Sequence, residues 1–474
     1  MPQKNILLIN PPMDYQSVRK EYSFEAYLPP LGLLYLATPL EQAGYTVSLI
    51  DFVAESFSET KLRQALQDTE YVCITITSQV ASSAARVAAY IKKVKPQCTI
   101  IIGGPHCTLQ QQAVLEEINA DIAVVGDGEV VITTLLHTLE TKGDLSHIKG
   151  IYFRKDGRIQ AGLPAEEIED LDTIDFPARH LIKKYTYGKK VISGVTFFAK
   201  GRITSIATTR GCPYRCRFCV SKAITKKYRL RSADNVLSEL EEIAQDYDSV
   251  FVVDDNFLSN KQRAHAIMDQ LIKKNFDLEI WIAGIRITDA DASLFKKMKQ
   301  AKVKSIEFGI ESGNQEVLDY YDKRITLDQV RKAIKLSKKV GFLTIGNFII
   351  GAPIETEHHI QDSIGFAKKL NLDFAFFNPF YYLKGSAIWD EAHQEGLIQE
   401  NETFVPADTR KGLGQFTPEE ISSWLLSAYK DFYFNPKYII TQFIRQLFVY
   451  HHFRLFQAAL RIFLYEKERH ILAK

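Results

Sequence analysis

Three cysteines, Cys212, Cys216 and Cys219, stand at offsets of four and three in the run Thr208-Thr209-Arg210-Gly211-Cys212-Pro213-Tyr214-Arg215-Cys216-Arg217-Phe218-Cys219. The whole chain has only six cysteines in 474 residues, so this bunching is not what chance supplies. Six are also too few to staple a chain of this length with disulfides, and metal binding in a reducing compartment accounts for them better. A zinc site needs a fourth ligand to close its tetrahedron, and the nearest histidines, His180 and His265, are distant along the chain and form no knuckle pattern. A four-iron cluster suits three thiolates differently. They ligate three irons and leave the fourth open to bind something reactive.

The elements that must position this loop are legible as strand patterns. The cysteine run directly follows ITSIATT (203 to 209), the first of six β-branched or aromatic runs that alternate with helical patterns. The others are SVFVVDD, EIWIAGIR, SIEFGIE, LTIGNFIIG and DFAFFNPF, and the series predicts a partial (β/α)6 barrel over 201–385. At the carboxyl ends of its strands fall Cys212, Asp254, Asp255, Arg286, Glu311 and Gly351, the face where such barrels carry chemistry. An earlier series, NILLIN, TVSLID, YVCITIT, CTIIIGG and DIAVVG, predicts a doubly wound parallel sheet over 1–145. Its strand-end loops are Asn10-Pro11-Pro12, Thr77-Ser78-Gln79, Gly103-Gly104-Pro105-His106 and Gly126-Asp127-Gly128-Glu129. Between the two series, 146–200 reads as a polar linker with a hairpin signal at Asp156-Gly157. The segment 386–474 is helical in pattern, basic and rich in aromatics, including Trp424, Tyr429, Tyr433, Tyr438, Phe448 and Phe453, and reads as a separate helical cap.

Bulk properties narrow the partners. Lys plus Arg number 59 against 57 Asp plus Glu, so no global charge draws the chain to nucleic acid or an anionic membrane. No signal peptide or long apolar run is visible, and a cytoplasmic location is the expectation. Cys73, Cys98 and Cys107 lie on or beside predicted strands and read as buried small hydrophobes.

The CxxxCxxC run with Phe218 before its last cysteine, after the first strand of a partial barrel, resembles the radical S-adenosylmethionine superfamily. The resemblance covers about 200 to 385. It implies that Cys212, Cys216 and Cys219 hold a 4Fe-4S cluster whose open iron chelates S-adenosylmethionine, and that cleavage of the sulfonium bond yields a 5'-deoxyadenosyl radical. It further implies that Asp254, Asp255 and Asn256 lie near the methionine moiety, though a strand-end carboxylate also serves as a helix cap. Glu311 and Ser312 match the position from which relatives hold the ribose. Gly351, Pro353, Glu355 and Thr356 match the loop near adenine, an ordinary tight turn being the plainer account. Arg286 and Arg231 either neutralise the cofactor carboxylate or are simply salt-bridged.

A doubly wound domain placed before such a barrel resembles the cobalamin-binding module of the cobalamin-dependent branch, over roughly 1 to 145. Pro29-Pro30-Leu31-Gly32, Gly103-Gly104-Pro105-His106 and Gly126-Asp127-Gly128-Glu129 carry that match, with Pro12 and Ser78 at neighbouring strand ends. One departure stands out. Many cobalamin proteins supply a histidine to cobalt after the first strand, and here the position reads Asn10-Pro11-Pro12-Met13-Asp14-Tyr15. His106 is then either a ligand or a supporting histidine in a glycine loop, and Ser78 either bonds the corrin tail or caps the next helix.

Together the resemblances imply methylation of an unactivated carbon in a hydrophobic small molecule, with the layout similar to enzymes acting on tetrapyrroles. They imply an electron donor such as flavodoxin or ferredoxin, and the basic aromatic C-terminal region suits contact with a membrane surface. Oxidative cyclisation without methyl transfer is the rival chemistry. A cobalamin-binding sensor with an inactive barrel is the rival class, and the intact cysteine set argues against it.

Overall fold

The computed structural model describes residues 4–13, 28–188 and 198–445, which divide into two compact units. One holds the described residues up to Tyr187 together with Ala223–Arg229, and the other holds the rest.

The first unit is built on β1 (Asn5–Asn10), β2 (Thr46–Asp51), β3 (Thr69–Thr75), β4 (Thr99–Gly103) and β5 (Ile122–Val124), parallel in the order β2-β1-β3-β4-β5. Helices cover both faces, so the strands are apolar almost without interruption, with Ile6, Leu7, Leu8 and Ile9 fully buried. Strand order reverses between β1 and β3, the place where sheets of this kind open a crevice beyond their carboxyl ends. The linker expected over 146–200 is corrected here. β6 (Ile151–Lys155) pairs antiparallel with β5, and β7 (Arg158–Ala161) pairs with β6, so the segment extends the first sheet. The hairpin itself falls where Asp156-Gly157 placed it, both residues having positive φ (51° and 74°) as a two-residue turn of matching twist requires. Ile151 and Phe153, buried at alternate positions, are the half-buried pattern that ties the hairpin to the sheet. Further along, the Tyr187 hydroxyl donates to the buried Asp51 carboxylate at the end of β2 (2.9 Å).

The second unit carries β8 (Ile203–Ile206), β9 (Thr209–Arg210), all but the first residue of the short strand β10 (Arg229–Leu230), then β11 (Ser249–Val252), β12 (Glu279–Arg286), β13 (Val303–Glu311), β14 (Leu343–Ile350) and β15 (Phe374–Pro379). β8 and β11 to β15 form a six-stranded parallel sheet in chain order, with helices between successive strands. A final antiparallel pair joins β16 (Tyr381–Leu383) and β17 (Phe404–Pro406).

An open barrel leaves two strand edges, and here β15 is one of them, β8 the other. The helix Pro418–Tyr433 covers the β15 edge with tyrosines. Tyr433 donates to the Ala375 carbonyl and accepts from the Ala375 N–H (3.1 and 3.3 Å), and Tyr429 does the same at Phe377 (3.2 and 3.2 Å). Tyr438 reaches the Asp373 carbonyl (2.7 Å). The described part of the expected C-terminal cap belongs to the barrel unit rather than to a separate domain, and its tyrosines cover the β15 edge; residues 446–474, with Phe448 and Phe453, lie outside the described residues. Replacing Tyr429 and Tyr433 by Phe is expected to cost roughly 1–3 kcal/mol each, because buried backbone groups lose their partners. The urea midpoint would fall accordingly, and an unchanged midpoint would contradict the edge-cover role. Among the described residues no helix is long and apolar enough to cross a membrane.

Candidate functional site

The cysteine loop runs from β9 to the helix Ser221–Ile224 and is shaped by its own backbone and by the barrel residues behind it. The Cys219 N–H donates to the Cys216 carbonyl and the Arg217 N–H to the Tyr321 carbonyl, both at 3.0 Å. Phe218 packs edge-on against the Tyr321 ring at 4.9 Å. Two donors face sulfur: Arg286 Nη1 lies 3.5 Å from Cys216 Sγ, and the Ser221 N–H lies 3.5 Å from Cys219 Sγ. Burial pushes the Cys212 thiol up, and the Asp255 carboxylate and Cys216 add to the effect. Burial likewise pushes the Cys219 thiol up to about 11; a cation such as iron displaces the protons of these thiols, so the donor set fits a cluster. Among the described residues no three His, Cys, Asp or Glu side chains close around a single metal ion.

Several residues expected to lie near the cofactor hold neighbouring parts of the protein. Asp254 is buried and accepts from the Thr208 N–H (2.6 Å), the Thr208 hydroxyl (2.5 Å) and the Thr209 N–H (3.1 Å). Its carboxylate pins the chain just before the cysteine loop and caps no helix. Asp255 is exposed and accepts from Ser221 Oγ. Asn256 donates to Asp289 (2.8 Å), which also receives the Tyr214 hydroxyl (2.8 Å) from within the cysteine loop. Arg286 has its guanidinium 4.0 Å over the Tyr214 ring and donates to the Lys323 carbonyl, so it serves the loop that carries Cys216. Arg231 is salt-bridged to the fully buried Glu239.

Glu311 ends β13 with φ at +69°, in the left-handed region that is uncommon for a non-glycine residue. Its carboxylate is paired with Lys323, whose Nζ lies 2.6 Å from Glu311 Oε1. A Cβ on Gly309 would come within 2.5 Å of that carboxylate oxygen, so glycine there makes room for the pair. Ser312 is fully buried, bonded to Ser363 Oγ (3.0 Å) and to the Asn314 N–H (3.2 Å), and holds the turn together.

After β14, Glu355 accepts from the Gly351 and Ala352 N–H groups (2.6 and 2.9 Å), and the Pro353 carbonyl receives Gln415 (3.5 Å). Glu355 is fully buried and its Oε1 has no partner among the described residues; burial raises its carboxyl from 4.5 to about 7, the two N–H bonds opposing. A carboxyl that holds its proton more tightly folded than unfolded binds more protons in the native state between those two values. Stability is then expected to fall as pH rises from about 4.5 to about 7. Glu355→Gln should flatten that slope in thermal melts taken across the window, and an undiminished slope would contradict the assignment.

In the first unit the strand-end loops are also held from within. The Pro12 carbonyl accepts from Ser83 Oγ (2.5 Å). Gly103 accepts from the Ile76 N–H (2.8 Å), and Gly104, with φ at +106°, approaches β3 so closely that a Cβ would meet the Ile76 carbonyl at 2.8 Å. Ser78 caps no helix by its side chain and bonds His106 Nδ1 at 3.0 Å. His106 Nε2 bonds Glu117 at 2.8 Å, so both ring nitrogens have partners within the protein. The Gly126 N–H donates to Thr108 Oγ1, and Gly128 accepts from Ile132 at the start of the next helix. Glu129 is half-buried in the same loop, and its neighbour Asp127 pairs with Arg229 (2.5 Å). Cys73, Cys98 and Cys107 are buried, as read.

Three participants escaped sequence reasoning: Lys323, the Tyr214–Asp289 contact and Glu117. Tyr214 alone left a trace, as an aromatic between two of the cysteines.

The fold and the cysteine loop define a radical S-adenosylmethionine barrel unit accompanied by a doubly wound unit of cobalamin-binding type. Comparison with known proteins agrees. The radical SAM superfamily model matches residues 206–367 and the B12 binding domain model residues 22–136. The chain is 30% identical over 469 residues to the uncharacterized methyltransferase PH0819 of Pyrococcus horikoshii, covering 97% of this chain and 98% of that protein. It is 26% identical over 426 residues to the anaerobic magnesium-protoporphyrin IX monomethyl ester cyclase of Rubrivivax gelatinosus, covering 87% and 75%. The solved structure of the radical S-adenosylmethionine methyltransferase TsrM from Kitasatospora setae, with cobalamin and a [4Fe-4S] cluster bound, matches with a TM-score of 0.66 at 18% identity, over 84% of this chain and 76% of that one. The chain belongs to the cobalamin-binding radical S-adenosylmethionine family, of the methyltransferase type. Its cofactors are a 4Fe-4S cluster, S-adenosylmethionine and cobalamin.

Proposed function

We propose that the protein methylates an unactivated carbon of a hydrophobic small molecule, a tetrapyrrole side chain being the leading class. The observation that carries this reading is the intact cysteine loop in a chain that matches a methyltransferase over nearly its whole length. The tetrapyrrole class is supported by the named substrate of the magnesium-protoporphyrin relative. When bound, the cofactors supply a hydrogen-abstracting radical and a methyl carrier.

The chain's own residues divide the work. Residues 1–145 hold cobalamin and 201–385 hold the cluster and S-adenosylmethionine, with Cys212, Cys216 and Cys219 as the iron ligands. Arg286 keeps a positive charge beside Cys216, and Phe218, wedged on Tyr321, sets the loop's reach. The segment after β1 offers no histidine, and His106 has both nitrogens engaged, which supports cobalt held without a protein histidine. A flavodoxin or ferredoxin supplies electrons. Contact with a membrane surface through the C-terminal region belongs to the same proposal, supported by the exposure of Ile440, Phe443 and Ile444 on the helix Pro436–Arg445.

The test is an anaerobic reaction with hydroxocobalamin, a strong reductant, methyl-labelled S-adenosylmethionine and a panel of tetrapyrroles and polyprenoid lipids, read by mass spectrometry. A labelled product with both S-adenosylhomocysteine and 5'-deoxyadenosine is expected. A product oxidised or cyclised without label would replace methylation by the chemistry of the cyclase relative.

A further inference from the structure

The strands of the barrel unit have two unlike faces. On the outer face of β13, Ile306, Phe308 and Ile310 are fully buried, and the Phe308 ring lies 6.5 Å from that of Phe295 on the helix Ala292–Gln300. Side chains alternate along a strand, so Glu307 points the other way, into the barrel. There it is half-buried, and so are Asn347 on β14 and Phe376 and Asn378 on β15. Water therefore reaches the interior along β13 to β15, where the outer face is sealed.

Two polar groups in this interior are short of partners. Asn347 Nδ2 donates to Glu307 Oε1 at 2.6 Å, and that is the one hydrogen bond of the Glu307 side chain among the described residues. Burial raises the Glu307 carboxyl, the Asn347 bond opposes this and Glu311 adds to the rise, as expected of a carboxylate with too few donors. Trp281 on β12 pairs with Ser305, two residues before Glu307, and so shares the inner face. It stacks on Phe251 at 5.5 Å and is 4% exposed, and its indole N–H has no partner among the described residues. A carboxylate only accepts and an indole N–H only donates. A hydroxyl group answers both. An ether answers only the indole, an ammonium only the carboxylate, and an acid is repelled by Glu307. We infer that Glu307 and Trp281 are specificity-determining residues that select a substrate carrying a hydroxyl group, an inference that rests on the proposed function because it takes the barrel interior as the place of the substrate.

Haematoporphyrin and mesoporphyrin dimethyl esters differ only in carrying hydroxyethyl or ethyl arms. Each is titrated anaerobically against the full-length protein carrying its cluster and cobalamin, and binding is followed by porphyrin fluorescence anisotropy. The wild-type protein is expected to bind the hydroxyethyl ester about tenfold more tightly than the ethyl ester, the scale of one hydrogen bond to a charged group. Glu307→Met should erase that preference, whereas Glu307→Gln, which keeps a neutral acceptor, should retain about threefold. Trp281→Phe, which keeps the ring on Phe251, should narrow the preference as well. A barrel that merely collapses in Glu307→Met loses both esters together; an unchanged preference in Glu307→Gln would then assign Glu307 to the fold and overturn the inference. Equal binding of the two esters by the wild-type protein, or a preference that survives in both Glu307 variants, would overturn it while leaving the proposed function intact. A wild-type protein that binds neither ester would instead overturn the tetrapyrrole reading, and the inference with it.

Discussion

Asp254→Ala is expected to yield a protein that is several kcal/mol less stable and that loses iron on reconstitution while keeping all three cysteines. The carboxylate is 4% exposed and receives three donors from Thr208 and Thr209, the two residues that lead from β8 into the cysteine loop. Truncation leaves two backbone N–H groups and a hydroxyl buried without partners, at about 1–3 kcal/mol each. Burial raises the Asp254 carboxyl, and the Thr208 donors oppose that. Asp254→Asn keeps an acceptor for the backbone and should recover part of the loss. Chemical denaturation gives the stability and iron analysis gives the loading. Full iron content in the alanine variant would show that the loop holds its shape without the bracket.

The second large effect is expected at Lys323. Lys323→Met leaves the Glu311 carboxylate, whose side chain is 10% exposed, without its cation, and breaking a buried pair from one side costs about 3–5 kcal/mol. The damage should spread toward the cysteine loop, because the Lys323 carbonyl receives Arg286 and its ammonium lies 5.8 Å over the Phe218 ring. Removing both charges in Glu311→Gln/Lys323→Met should be milder than the single change, since no unpaired charge remains buried. Equal loss in the single and double variants would mean that the pair adds nothing beyond packing.

Strands were legible because burial on both faces forces continuous apolar runs, and NILLIN and EIWIAGIR coincide with β1 and β12 to the residue. The hairpin at Asp156-Gly157 was legible from turn chemistry, but its attachment to β5 was not, because pairing partners distant along the chain leave no local mark. The cysteine loop stood out through spacing alone. The roles of Asp254, Ser312 and Glu355 did not, because a carboxylate or hydroxyl at a strand end looks the same whether it meets a ligand or a neighbouring backbone N–H. The C-terminal tyrosines carried the same ambiguity. Their aromatic character suggested a greasy cap, and their hydroxyls instead satisfy the free edge of β15.

The most direct test of the account is anaerobic reconstitution of the wild-type protein and of Cys216→Ala with iron and sulfide, followed by iron analysis and quantification of 5'-deoxyadenosine after reduction with S-adenosylmethionine. The account predicts about four irons per wild-type chain, one per corner of the cluster, and reductant-dependent 5'-deoxyadenosine, with both lost in the variant. A Cys216→Ala protein that keeps its iron and still cleaves S-adenosylmethionine would contradict it.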